Sequence, residues 1–184
     1  MHGGNVIVPA AILLVVIVAP VLLGLAGLLA ARRAPAAGPA PAWDWRLTVH
    51  SALLYTLAFN LTFFIQELFL VVPKAFVPGL SPVLYHNNHR WSGDHPLEAL
   101  FQGTGALAIF VSGCVFAWLL RRGGARPHGR QLFFLWMTFH GFFQSIPQIV
   151  VGAIAPDNDM GMAMDYLAMS GAAKTAAARV AHAA

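Results

Sequence analysis

The chain has 184 residues, of which 58% are hydrophobic and only 10% are charged. A soluble domain carries roughly 25% charged residues, so this composition excludes an ordinary water-exposed surface and suits a lipid bilayer. The net charge is +4, but the basic residues lie beside hydrophobic runs, which indicates orientation in a membrane and not binding to nucleic acid. The single cysteine, Cys114, excludes an intrachain disulfide and a cysteine-based zinc site.

Four apolar runs predict an all-α integral membrane helical bundle, a single domain with about four transmembrane helices. Each run reaches the roughly 20 residues that a helix needs to cross a bilayer. The predicted spans cover residues 6–31, 47–72, 96–120 and 131–155. A cleaved signal peptide is the alternative for the first run, which is long for that role and has no Lys or Arg before it. An Ala/Met-rich helix is predicted over 160–182, and its charges leave open whether it crosses the membrane.

Capping and helix-breaking residues define the predicted boundaries of these spans. Asp44 is an N-cap candidate for the second span, because its side chain can accept hydrogen bonds from the first free backbone N–H groups. Pro73 is predicted to end that span, and Pro96 to begin the third. The segment between them, 73–95, is rich in Pro, Gly, Asn and His, and we expect an outer loop there.

The distribution of arginine predicts the orientation. Basic residues cluster after the first and third spans, at Arg32, Arg33, Arg46, Arg121, Arg122, Arg126 and Arg130. Cytoplasmic loops carry an excess of Lys and Arg, so these two loops are predicted to face the cytoplasm. The N-terminus and the His-rich loop then lie on the outer side, and the plasma (inner) membrane is the expected location.

The outer loop contains the first candidate site. Three histidines and an aspartate fall within ten residues, and the predicted metal ligands are His86, His89, Asp94 and His95. Imidazole suits Zn and Cu, and two histidines three residues apart can bind one ion. The alternative is a polar loop whose histidines face water, with His95 serving the start of the next helix.

The second candidate site lies inside the predicted membrane. Glu67 and His140 are the predicted acid–base pair, either as catalytic groups or as proton carriers, because ionisable residues at lipid depth usually face a bundle interior or a wet cavity. Polar side chains at matching depths are predicted to line the same pocket: Asn60, Gln66, Gln102, Gln144 and Gln148. The alternative is that these residues only form hydrogen bonds between helices.

A third motif, Met160-Gly-Met162-Ala-Met164, offers soft thioether ligands that suit Cu(I). Methionine is also a common filler of hydrophobic cores. If the segment is helical, Met160 and Met164 share one face and Met162 points elsewhere, which favours the filler interpretation.

Three functions fit these patterns. The first is a membrane protein with a metal site of Zn or Cu, and a membrane metalloenzyme if that ion activates water or substrate, in which Glu67 acts as a base or a further ligand. The second is a small proton- or metal-coupled transporter, which with four spans requires an oligomer. The third is a non-catalytic accessory subunit of a larger membrane complex. All three predict contact with membrane lipid, and no zincin or serine-hydrolase motif occurs in the chain.

Overall fold

The computed structural model describes residue 18 and residues 21–27, 29–30, 43–85, 88–122 and 128–183. Two compact units, 1–43 and 44–184, divide the chain. In the first unit the described residues from 18 to 30 are helical. Most of the predicted first span therefore lies outside the described residues. All features below belong to the second unit.

The second unit is mostly helical, which confirms the all-α expectation. Its six helices are α1 (Trp45–Ala75), α2 (Leu97–Gln102), α3 (Thr104–Arg121), α4 (His128–Ile154), α5 (Asp159–Tyr166) and α6 (Gly171–Ala183). Helix α4 is central and packs against α1, α3, α5 and α6. By length and composition, two segments among the described residues could cross a membrane: α1, and α2 taken together with α3. Helix α4 has His140, Gln144 and Gln148 within its apolar sequence.

Helix α1 begins directly after Asp44, the N-cap residue that the sequence predicts. The Asp44 carboxylate accepts hydrogen bonds from the backbone N–H groups of Arg46 at 2.9 Å and Leu47 at 3.1 Å. The helix does not end at Pro73, however, but continues to Ala75. Proline has no N–H to donate to the carbonyl of residue 69, four positions earlier. The Thr104 hydroxyl lies 2.6 Å from that Phe69 carbonyl oxygen and also 2.6 Å from the Phe101 carbonyl oxygen, and its one hydrogen is shared between these two acceptors.

The predicted outer loop contains a β-hairpin. Strands β1 (Ser81–Leu84) and β2 (His89–Ser92) pair antiparallel, with Ser81 opposite Ser92 and Leu84 opposite His89. Gly93, after β2, has a φ of +101°. Its backbone approaches the Gly79 carbonyl so closely that a Cβ would overlap it. The hairpin packs on the end of α1, where it carries His89 and Trp91 to the bundle.

The third span and the C-terminal helix are each broken once. The third span is interrupted at Gly103, where a Cβ would lie 2.7 Å from the Ala163 Cβ of α5. The C-terminal helix divides into α5 and α6, with the left-handed residue Ala168 (φ +51°) between them. Its turn is closed by the N–H of Met169, which donates to the Met164 carbonyl at 3.1 Å. Helix α5, which follows α4 after the turn over 155–158, packs on both α2 and α4.

The outer surfaces of the long helices are apolar. Exposed large side chains on these helices include Leu53, Leu57, Phe64, Leu107, Val111, Val115 and Phe143. Contiguous apolar surface of this kind is costly in water and is the normal outer surface of a helix in lipid. The buried polar side chains instead lie between the helices and beneath the hairpin.

Candidate functional site

A pair of ionisable side chains joins the hairpin to helix α1. Glu67 Oε2 lies 2.8 Å from His89 Nδ1, and their side chains are only 7% and 9% exposed. The other ring nitrogen, Nε2, lies 3.3 Å from Gln102 Oε1 on α2. Both contacts are satisfied when the ring donates from its two nitrogens to the two oxygens, and equally when a protonated Glu67 donates to Nδ1. Glu67 and His89 therefore form a buried, hydrogen-bonded pair of ionisable groups.

Lys74 adds a second cation to this cluster. Its side chain is fully buried, and its ammonium donates to Gln102 Oε1 at 2.8 Å. The same ammonium lies 4.2 Å from the centre of the Trp91 ring, an attractive geometry for a cation over an aromatic face. Trp91 stacks on His89 and donates its Nε1–H to Glu98 Oε2 at 3.0 Å. The hairpin thus covers the cluster with one aromatic side chain.

Asp159, the first residue of α5, completes the set of charges. It lies within electrostatic reach of His89, Lys74 and Glu67. Burial raises the pKa of Asp159 above its ordinary value, and the two cations oppose that rise. Asp159 also borders a groove of about 210 Å³ with Pro147, Gln148, Val151, Asn158 and Met160. The cluster therefore has an opening beside it.

A ladder of amide side chains runs from this groove along α4 toward the interior. Gln148 Nε2 donates to Gln66 Oε1 of α1 at 3.1 Å and to the Gln144 carbonyl at 2.7 Å. Gln144 Nε2 lies 3.4 Å from His140 Nδ1. Gln66, Gln144, Gln148 and His140 are thus brought together at the contact between α1 and α4.

His140 itself lies in an aromatic environment apart from the Glu67 cluster. The rings of Tyr55, Phe59 and Phe139 surround it, with centroids 4.5, 5.5 and 5.3 Å away. The side chain is 1% exposed, and within the described part of the chain its Nε2 has no hydrogen-bond partner. The structure thus brings Glu67 together with His89, not with His140.

The other predicted site residues are placed separately. Asn60 is exposed and donates to the Thr56 carbonyl of its own helix at 2.8 Å, so it does not join the amide ladder. Asp94 is exposed, and His95 Nδ1 accepts from the Leu97 N–H at 3.2 Å. His86 lies outside the described residues. Among those described, no three His, Cys, Asp or Glu side chains are arranged to hold a metal ion, and the four-ligand site stays a prediction.

The methionine motif is helical, so Met162 does not share the face of Met160 and Met164. Met164 is buried, and Met160 packs on Gly152 of α4, where a Cβ would lie 2.8 Å from its Cγ. Both residues fill the contact between α5 and the bundle.

Sequence reasoning missed Lys74, Trp91 and Asp159 as members of one site. Because Pro73 is predicted to end the helix, Lys74 falls in the predicted outer loop over 73–95. Continuing α1 by one turn would have placed Lys74 seven residues after Glu67 and on the same face. Trp91 and Asp159 reach the cluster through the hairpin and through the fold-back of α5, which have no periodic signal in the sequence.

Comparison of the chain with protein-family models, with curated proteins and with solved structures finds no match that indicates a relationship. The site therefore has to be interpreted from its own chemistry.

Proposed function

We propose that this chain is an integral membrane protein that binds a small polar ligand at a buried acid–base centre, with the Glu67–His89 pair exchanging protons with that ligand. The observation that carries the proposal is the 2.8 Å contact between Glu67 Oε2 and His89 Nδ1, two ionisable groups that are each less than a tenth exposed. Replacing a buried ion pair with apolar residues is often neutral or stabilising. Stability alone is thus a weak reason for such a pair, and function is the stronger one.

The proposed membrane arrangement has four spans. The lengths and compositions of α1 and of α2 with α3 support two of them. Helix α4 has 27 residues and a length of about 40 Å, and it packs along both of these helices. The apolar run over 6–31 supplies the fourth. We propose that the hairpin and the charged cluster face the outer side of the plasma membrane, because the arginines lie at the opposite ends of these helices.

The chemistry follows from the hydrogen bonds around His89. In the imidazolium form the ring donates to Glu67 and to Gln102. Releasing the Nδ1 proton to a ligand leaves a neutral imidazole beside the Glu67 carboxylate, and taking a proton back from the ligand restores the imidazolium, so the pair can exchange one proton with a ligand. Lys74 fixes Gln102 from the other side and adds positive charge that stabilises an anionic Glu67. These residues would hold a ligand and set its protonation state.

The protonation of His89 tests this proposal. Solid-state ¹⁵N NMR of histidine-labelled protein in bilayers distinguishes doubly from singly protonated rings. We expect His89 to be doubly protonated in the parent, to lose one proton reversibly as base is added, and to be singly protonated in Glu67→Gln at the same pH. A His89 ring that keeps both protons until the protein unfolds would support the accessory-subunit function instead.

A metal ion is the second candidate occupant. Glu67 and His89 already approach each other closely enough to share an ion, and Zn or Cu would take both, together with His86, which precedes His89 by three positions in the sequence. The Lys74 ammonium and the engagement of both His89 nitrogens argue for the proton centre. Elemental analysis of purified protein separates the two. Stoichiometric Zn or Cu that is lost in His86→Ala/His89→Ala, and kept in the exposed control His182→Ala, would establish the metal site.

A further inference from the structure

The cluster beside the groove has an excess of negative charge. Three carboxylates, those of Glu67, Glu98 and Asp159, lie within electrostatic reach of Lys74. Two cations, Lys74 and the His89 imidazolium, oppose them. Carboxylates therefore outnumber cations in the cluster, whether the His89 ring is charged or neutral.

Asp159 is the carboxylate of this cluster that lies at the groove. Glu67 pairs with His89, and Glu98 accepts from Trp91. Among the described residues no Lys, Arg or His nitrogen lies within ion-pair distance of Asp159, although the side chain is half-buried and borders the groove. A carboxylate in this position is stabilised by a cation that enters the groove.

Gln148 supplies a second acceptor in the same groove. Its side-chain nitrogen is used by Gln66 and by the Gln144 carbonyl. Both amide hydrogens are thereby engaged, and the oxygen Oε1 is left for a ligand. The other walls include Pro147, Val151 and Met160, which suit a short hydrocarbon chain.

We propose that this groove binds a small primary amine in its ammonium form, with its N–H groups donating to the Asp159 carboxylate and to Gln148 Oε1 and its carbon chain against Val151 and Met160. The inference rests on the proposed function, since the ammonium is then the polar ligand presented to the Glu67–His89 centre. The ligand class follows from a carboxylate and an amide oxygen that both require donors, and from a volume of about 210 Å³.

Binding of n-butylammonium to the full-length protein tests the inference, measured by isothermal titration calorimetry. The protein is held in a non-ionic detergent, because zwitterionic detergents carry competing ammonium groups. Butyrate tests the sign of the charge, and tetramethylammonium tests the need for N–H donors. We expect n-butylammonium to bind more tightly than tetramethylammonium, and butyrate not to bind.

Asp159→Asn should weaken n-butylammonium binding about tenfold to a hundredfold, the range expected when one charged hydrogen bond is lost. Asp157→Asn is the matched control, because Asp157 is exposed in the preceding turn. The affinity of this variant for n-butylammonium should equal that of the parent. Equal binding of n-butylammonium and butyrate, or an unchanged affinity in Asp159→Asn, would overturn the inference. The ¹⁵N signal of His89 reports on the acid–base centre separately, so failure of the amine site and failure of the centre are distinguishable.

Discussion

His89 Nδ1 lies 2.8 Å from Glu67 Oε2, and this contact connects a hairpin strand to a residue two turns before the end of helix α1. The two residues are 22 positions apart in the chain. The contact fixes the hairpin over the helix ends and places Trp91 above Lys74. One buried contact therefore joins the hairpin to α1 and positions the aromatic side chain that covers the cluster.

Breaking this pair should destabilise the protein. Glu67→Gln leaves His89 without its counter-charge, and we expect a loss of about 1–3 kcal/mol in the free energy of unfolding, limited by the ability of His89 to lose its proton. Glu67→Gln/His89→Gln should lose less than the sum of the two single variants, with a coupling energy of about 0.5–3 kcal/mol. Unfolding of the four proteins in mixed micelles with increasing SDS measures the cycle.

Asp94→Asn is the control for that cycle, because Asp94 is exposed next to the hairpin. Its effect should remain within about 0.5 kcal/mol, as for other surface substitutions. Additive single-variant effects at Glu67 and His89 would show that the 2.8 Å contact contributes no coupling.

The sequence allowed part of this site to be predicted. Glu67 and Gln102 were identified because polar side chains in apolar runs are conspicuous, and His89 because it lies in a His-rich loop. Helical periodicity also brought Gln144, Gln148 and His140 onto one face. These features depend on local spacing, which a single sequence shows directly.

The remaining features depend on contacts between distant residues. Where α1 continues past Pro73, the Phe69 carbonyl contacts the Thr104 hydroxyl, 35 positions away. The hairpin includes Pro82 and is stabilised by its packing on α1, so no alternating pattern indicated it. The break at Ala168 places an alanine at positive φ, where sequence rules expect glycine. The sequence therefore predicts His89 in a loop metal site with Glu67 as a base or a further ligand, and it does not predict the direct contact between the two side chains.

Gly141 is expected to tolerate no side chain. Helices α3 and α4 touch backbone to backbone there, and a Cβ on Gly141 would lie 2.7 Å from the Gly113 nitrogen and 2.9 Å from the Ile109 carbonyl oxygen. Gly141→Ala should force the helices apart and lower the free energy of unfolding by about 1–3 kcal/mol. Unfolding of the detergent-solubilised protein measures the change.

Gly129→Ala is the matched control for Gly141→Ala, because it lies in the first turn of the same helix and a Cβ there meets nothing within 4 Å. We expect it to be neutral or to stabilise α4 by up to about 1 kcal/mol. Equal effects of the two alanines would contradict a close crossing of α3 and α4.

The contribution of Asp159 to stability should depend on pH in a defined direction. Burial raises the pKa of its carboxyl above the ordinary 3.8, so the folded protein binds that proton more tightly than the unfolded chain. The associated stabilisation is complete below pH 3.8 and is lost as pH rises through the folded-state pKa. Asp159→Asn, which is neutral at every pH, should therefore have a higher Tm than the parent at pH 7.

That difference in Tm should shrink as the pH is lowered toward 4, because the parent carboxyl then becomes neutral too. Asp157→Asn, at an exposed neighbouring position, should show no comparable pH-dependent difference. A Tm difference between Asp159→Asn and the parent that grows toward acid pH would mean that the ionised carboxylate stabilises the fold.

The membrane arrangement predicts how Cys114 reacts. The residue is exposed on α3, seven residues before the helix ends at Arg121, and the proposed span places it in lipid. A charged, membrane-impermeant maleimide should label it slowly in intact membranes and quickly after denaturation in SDS.

The orientation is tested on a Cys114→Ala background. There, Ser92→Cys in the hairpin should be labelled from the outer side, and His128→Cys only after permeabilisation. Labelling of native Cys114 as fast as that of Ser92→Cys would mean that α3 does not cross the bilayer. A reversed labelling pattern at the two engineered positions would mean that the orientation is the opposite of the proposed one, with the same spans.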